Sequence, residues 1–159
     1  MPFHDKIRMY REDGISRDDH GKDGTGMTGP QVRTGAERNG TILLVEDSDV
    51  VREVIARMLE NGGFDVHKAS GGEKALSLLR SGDVPFDLLL IDVVMPEMGG
   101  VELADRVASE HPETRILFMT GHSDDMVSGK GMLGGNREYI GKPFSQGEIL
   151  EKVRVILSR

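Results

Sequence analysis

The rhythm of apolar residues along this chain changes at Thr41. Upstream, from Asp13 to Gly40, almost nothing is apolar, and Gly, Asp and Arg dominate. Such a segment cannot bury enough surface to offset the entropy of ordering it. Residues 1–39 therefore read as a flexible arm and residues 40–159 as the folded domain. Within the arm, Lys6-Ile7-Arg8-Met9-Tyr10 alternates like a lone strand.

Downstream, Thr41-Ile42-Leu43-Leu44-Val45 is an unbroken apolar run that closes on Glu46-Asp47. A strand without alternation is one covered on both faces. Val51, Val54, Ile55, Met58 and Leu59 then recur at helical spacing, and Gly62-Gly63 end that helix. Phe64 to Ala69 reads as a short strand. Ser70-Gly71-Gly72-Glu73 has the form of a capping box opening a helix through Leu79. A second buried strand, Asp87 to Ile91, ends at Asp92. After Met95-Pro96 and Gly99-Gly100, a helix turns Leu103, Ala104 and Val107 inward. Ile116 to Met119 is a strand ending at Thr120, and Glu138 to Ile140 is the last strand, ending near Lys142-Pro143. Ser145-Gln146-Gly147-Glu148 is another capping box, followed by a stripe of Ile149, Leu150, Val153, Ile156 and Leu157. Between Ser123 and Arg137 the helical pattern is weak, because Gly129, Gly131, Gly134 and Gly135 interrupt it. Each interior Gly costs a helix about 1 kcal/mol relative to Ala, so a helix there is expected to be short, frayed or mobile.

Five strands alternating with helices predict an α/β domain with a parallel sheet covered on both faces. The hydrophobic fraction of 37% is low for a domain of this length, which agrees with an arm that adds nothing to the core. The net charge is -7, yet residues 1–40 carry seven basic and seven acidic residues. The whole excess of acid therefore lies in the folded part, which argues against a nucleic-acid partner. There is no cysteine, so no disulfide framework or zinc–thiolate site exists. No stretch has the length and apolarity of a membrane span or the form of a signal peptide, so a soluble cytoplasmic protein is expected.

Ligands of an open parallel sheet bind beyond the carboxyl ends of its strands. There this chain places Glu46, Asp47, Asp92, Thr120 and Lys142. Each alone has an ordinary reading: Asp47 as a helix N-cap, Asp92 as a turn residue, Thr120-Gly121 as a loop, Lys142 as a solvated charge. Together they make a site. Three convergent carboxylates repel one another unless a cation joins them. Mg²⁺ suits an all-oxygen set that lacks His and Cys, and a lysine beside it calls for an oxyanion. That combination points to phosphoryl chemistry.

The series Glu46-Asp47, Asp92-Val93-Val94-Met95-Pro96, Thr120-Gly121 and Lys142-Pro143-Phe144 resembles the receiver domains of two-component response regulators. The resemblance spans residues 41–159. It implies a doubly wound, flavodoxin-like sheet of order 2-1-3-4-5, which brings Asp47 beside Asp92. It implies that Asp92 is the phosphorylated nucleophile and that Asp47 and Asp92 ligate Mg²⁺ directly. Glu46 would act through a bound water, and the Val94 carbonyl would complete the protein ligands. Lys142 would pair with Asp92 and later with the phosphoryl oxygen, and Thr120 would swing to that oxygen. Gly121 would leave the site accessible, and the Lys142–Pro143 bond would be cis. Tyr139 would follow Thr120 inward as part of a switch; burial as ordinary core is an equal alternative. His122 reads as a loop residue near the site.

The stretches Gly40 to Asp47 and Phe118 to Asp125 are similar to receivers attached to hybrid histidine kinases. The arm would then be a former linker. The implied donor is a phosphohistidine on a sensor or hybrid kinase, and the implied recipient is a histidine phosphotransfer protein or an effector. The chain would be a phospho-acceptor with self-phosphorylation and self-dephosphorylation activity rather than a turnover enzyme, and no output domain is expected after the last helix. Two other classes fit parts of the pattern. A Mg²⁺-dependent phosphohydrolase usually needs a general acid two residues past its nucleophile, where this chain has Val94. A scaffold without chemistry would not need all five site positions.

The arm generates the first test. Deletion of residues 1–36 is expected to leave folding and phosphoryl acceptance intact, because the arm offers no apolar stripe to dock. An insoluble product, or one that no longer accepts phosphoryl, would place the domain boundary elsewhere.

Overall fold

The computed structural model describes residues 39–121 and 136–159. The arm, its Lys6–Tyr10 alternation, His122 and the glycine-interrupted segment 123–135 lie outside the described residues.

Five strands form one sheet: β1 (Thr41–Val45), β2 (Asp65–Ala69), β3 (Leu88–Asp92), β4 (Arg115–Thr120) and β5 (Arg137–Gly141). Their order is β2-β1-β3-β4-β5, every pair parallel, as the resemblance implied. Four helices are described: α1 (Asp49–Asn61), α2 (Gly72–Ser81), α3 (Gly100–Glu110) and α4 (Gln146–Leu157).

The unbroken apolar runs are explained by alternation between two cores. Ile42 and Leu44 of β1, Leu88 and Leu90 of β3, and Leu117 and Met119 of β4 face α1 and α4. Leu43 and Val45, Leu89 and Ile91, and Ile116 and Phe118 face α2 and α3. Both sets are almost fully buried. Each fully buried side chain of this kind contributes about 1.5–3 kcal/mol relative to exposure. The three central strands therefore anchor everything placed at their ends.

Two local expectations meet different outcomes. At α4, Ser145 Oγ accepts from the Glu148 amide at 3.3 Å, and the Glu148 carboxylate accepts from the Ser145 amide at 2.7 Å, so the box closes. At α2 the expected box does not form. Ala69 is still at the sheet, where its carbonyl accepts from the Glu46 amide. The chain needs Ser70 and an extended Gly71 to turn out of the strand, so the N-cap falls on Gly71, which has no side-chain cap. Helix α1 ends as anticipated, with Gly63 at φ +87, a conformation that Cβ-bearing residues avoid.

The apolar stripe of α1 is only partly buried. Ile55, Ala56 and Leu59 pack on the sheet, but Val50, Val51 and Val54 remain exposed near the carboxyl edge.

Gly100 does more than mark a loop. Its amide donates to the Val93 carbonyl at 3.0 Å. A Cβ added there would lie 2.3 Å from the Asp92 carbonyl oxygen and 2.9 Å from Val93 Cα. Helix α3 can start this close to the end of β3 only because that Cβ is missing. Gly100→Ala is expected to destabilise the domain by about 2 kcal/mol, within the range for overpacking. Urea denaturation checks this. An unchanged midpoint would show that the α3 start can shift freely.

Candidate functional site

Strand order decides which side chains meet. β1 lies between β2 and β3, and Val45 pairs with Ile91. The next residues, Glu46 and Asp92, therefore leave the sheet side by side. Asp47 follows at the turn into α1. Carboxylate oxygens of Glu46, Asp47 and Asp92 all lie within 4.8 Å of one another. Glu46 is 2% exposed and Asp92 is 9% exposed, whereas Asp47 is open to solvent.

Helix α1 is capped by Ser48, whose Oγ accepts from the Val51 amide at 3.4 Å. Asp47 is therefore not the N-cap, and its carboxylate makes no hydrogen bond among the described residues. Asp92 retains part of its turn role, since its Oδ1 accepts from the Val94 amide at 3.3 Å. Val94 itself is 71% exposed, so an apolar side chain stands at the mouth of the site.

Lys142 leaves β5 on the other side of β4. Its amide donates to the Thr120 carbonyl at 2.7 Å, and its ammonium reaches Asp92 Oδ2 at 3.1 Å. The same ammonium lies 3.3 Å from Glu46 Oε2, a second partner that the sequence did not reveal. The Lys142–Pro143 bond is cis, as the resemblance implied. Thr120 is buried at the end of β4. Gly121 is exposed, and a Cβ there would meet nothing within 4 Å among the described residues. Tyr139, paired in register with Phe118, is half-buried and packs on the α2 and α3 side of the core.

One cation facing three carboxylates leaves a net negative site. Burial raises the Glu46 carboxyl above its ordinary range; the Ser48 amide opposes this, and the Asp92 charge adds to it. For Lys142, burial works against the charged form. The hydrogen bond and charge of Asp92, with Glu46 behind them, outweigh burial and hold its pKa above the ordinary value. The site is therefore short of positive charge. The donor set is all oxygen, partly buried and partly open, with three carboxylates close enough to share one ion. Those features fit Mg²⁺, which accepts a few carboxylates and keeps waters that a phosphate can replace.

Sequence reasoning missed two contributors. Gly100 looked like punctuation, and only the contact with the Asp92 backbone reveals its role. Arg52 looked like a surface residue of α1, yet its guanidinium donates to the Glu46 carbonyl at 2.6 Å. The available signal was its place one helical turn after Asp49, which it also engages.

Residues 42–154 match the response regulator receiver domain family. The transcriptional regulatory protein SrrA of Staphylococcus aureus is 33% identical over 118 residues, 74% of this chain and 48% of its own length. The chain thus spans about half the length of the curated relatives it matches. The receiver domain of the hybrid histidine kinase CckA superposes with a TM-score of 0.63 at 30% identity, covering 74% of this chain and 99% of that one. The response regulator TrrA of Thermotoga maritima, in complex with Mg²⁺-BeF, gives a TM-score of 0.66 at 28% identity, covering 74% of this chain and 98% of that one.

The crowding of charge has a measurable consequence. The native fold holds the Glu46 proton more tightly than the unfolded chain does, so charging Glu46 as pH rises costs stability. In chelator at pH 7, Glu46→Gln is therefore expected to melt at a higher temperature than wild type. The difference should vanish below the ordinary glutamate range, where both side chains are neutral. The variant should also lose most of its Mg²⁺-dependent stabilisation. Thermal scans in chelator and in excess Mg²⁺ across pH check both parts. A variant less stable than wild type at pH 7 would show that the pairing with Lys142 outweighs the crowding.

Proposed function

The chain belongs to the response regulator receiver domain family, whose members serve phosphorylation-controlled signalling, and we propose that it accepts a phosphoryl group on Asp92 from a partner's phosphohistidine. The observation that carries this reading is the convergence of Glu46, Asp47 and Asp92 within 4.8 Å, with the Lys142 ammonium touching two of the three.

An oxygen of Asp92 attacks phosphorus. The new O–P bond forms as the N–P bond breaks, and the electron pair of that bond returns to the imidazole nitrogen of the donor. Glu46, Asp47 and Asp92, with the Val94 carbonyl, would hold Mg²⁺, which supplies charge neutralisation for the transferring oxygens. Lys142 keeps Asp92 oriented beforehand and can turn its ammonium to a phosphoryl oxygen afterwards. The Thr120 hydroxyl, buried at the end of β4, would be a further donor to that group. The added charge, roughly two units, would move Thr120 and bias the position of Tyr139. This is a switch of the two-state kind.

Val94 bears on the rival reading. An apolar, exposed residue two positions past Asp92 carries no proton for a leaving group, so that position supplies no general acid. The chain would act as a phospho-acceptor with self-phosphorylation and self-dephosphorylation activity rather than as a turnover enzyme.

The donor must bring its phosphohistidine to the open mouth of the site. Val50, Val51 and Val54 of α1 face Pro143 and Phe144 across an apolar groove of about 430 Å³, and Lys142 lines both groove and site. A helix of a sensor or hybrid histidine kinase, or of a histidine phosphotransfer protein, seated there would present its histidine toward Asp92. No described helix is long and apolar enough to cross a membrane.

Incubation with acetyl phosphate and Mg²⁺ is expected to add about 80 Da, one phosphoryl group. Asp92→Asn keeps the shape but removes the nucleophile and should show no adduct. An adduct on Asp92→Asn at the wild-type rate, or fast phosphate release without an adduct on wild type, would overturn the reading. Mass spectrometry distinguishes these outcomes directly.

A further inference from the structure

The three carboxylates differ in how they are held. Asp92 is fixed by the β3 ladder, the Val94 amide and Lys142. Glu46 is fixed by the Ser48 amide on Oε1 at 3.1 Å and by Lys142 on Oε2. Asp47 is exposed and its side chain has no hydrogen-bond partner among the described residues. Its direction is set only by the backbone of the turn between β1 and α1. On its amide side Glu46 is tied to the Ala69 carbonyl at 3.2 Å, and on its carbonyl side the Arg52 guanidinium donates to the carbonyl of Glu46, the peptide group that joins Glu46 to Asp47.

Arg52 is well placed for this. Its own amide is in α1, donating to the Ser48 carbonyl at 2.8 Å, so its start is rigid. Its side chain is only 15% exposed. One arm of the guanidinium holds the Glu46 carbonyl and the other engages the Asp49 carboxylate. A planar fork can satisfy both at once, which a single ammonium on a flexible stem does less well. The long side chain thus ties the first turn of α1 back to the end of β1 across the residues that carry the acidic pair.

We propose that Arg52 is a positioning residue for the metal site, fixing the Glu46–Asp47 peptide so that the Asp47 carboxylate faces Glu46 and Asp92. The inference rests on the reading of that cluster as a Mg²⁺ site. Two physical effects oppose each other and give the test its sign. Arg52 is a cation near three carboxylates, so its charge alone weakens the binding of another cation. If charge dominated, removing it would tighten Mg²⁺ binding. If positioning dominates, removing the grip loosens binding, because residues that orient metal ligands typically contribute 10–100-fold in affinity.

Arg52→Lys keeps the charge and loses the fork, whereas Arg52→Gln loses the charge. Mg²⁺ is titrated by calorimetry, and Mn²⁺ by its electron paramagnetic resonance signal, below the melting temperature of each variant in chelator. About a tenfold rise in Kd is expected for both variants, with Asp49→Asn, which frees one arm of the fork, in between. Unchanged affinity for Arg52→Lys, or tighter binding by Arg52→Gln, would overturn the proposal. A wild type that binds neither ion, or binds equally well as Asp47→Ala, would instead remove the metal-site reading itself, and this inference with it.

Discussion

The structure is organised around an electrostatic problem. Three carboxylates leave the sheet within 4.8 Å of one another, and one ammonium faces them. Like charges so close in a half-buried setting are unfavourable, and nothing in the apolar core relieves them. They stay together because adjacent β1 and β3 are clamped between two helical layers. The stability of the central strands offsets the strain at their ends. A cation would relieve that strain, and a phosphoryl group would then bring back negative charge in a form that Lys142 and a metal can share.

Much of this was legible in the amino-acid sequence because it depends on period and order. Runs such as Leu88 to Ile91 have no polar face, and only a strand buried on both sides tolerates that. The chemistry-bearing residues follow such runs directly, so placing the strands placed the site. What stayed hidden depends on distances between elements. The second contact of Lys142, to Glu46, requires knowing that β5 passes beside β4 at a particular height. The loss of the cap at Ser70 follows from Ala69 still being tied to the sheet, which shifts the helix start by one residue. Gly100 and Arg52 act on backbone groups of Asp92 and Glu46; spacing places Arg52 within reach of Asp49 but leaves no mark of its bond to the Glu46 carbonyl.

The exposed start of α1 shows how a pattern can be right in period and incomplete in meaning. Val51 and Val54 keep the helical rhythm of Ile55 and Leu59, yet they overhang the edge of the sheet instead of covering it. Apolar exposure beside a charged site is unfavourable for the isolated domain, and on the proposed reading it would serve a partner that arrives there. Lys142, Pro143 and Phe144 border the groove, and Lys142 also pairs with Glu46 and Asp92 of the acidic cluster. On the proposed reading docking and chemistry would share Lys142, and a partner seated in the groove would also be placed for transfer.

The route by which a change at Asp92 would leave the site follows from the unequal burial of the strands. β1, β3 and β4 are almost fully buried, while every residue of edge strand β5 is only partly so. Lys142 belongs to the continuation of β5, and its amide is bonded to Thr120 on β4. Any new partner for the Lys142 ammonium, or any turn of Thr120, would therefore pull on a strand that is only partly buried. Tyr139 sits on that strand, three residues before the lysine. Glu138, beside it, is bonded to Lys152 at 2.6 Å and also to Arg159. The hydrogen bond from Lys152 leads the causes that hold the Glu138 carboxyl below its ordinary range, so this pairing stays charged at neutral pH. It couples β5 to the end of α4. A signal that began as charge at Asp92 would thus have a mechanical path through Lys142 and β5 to the C-terminal helix, built from bonds already present in the structure.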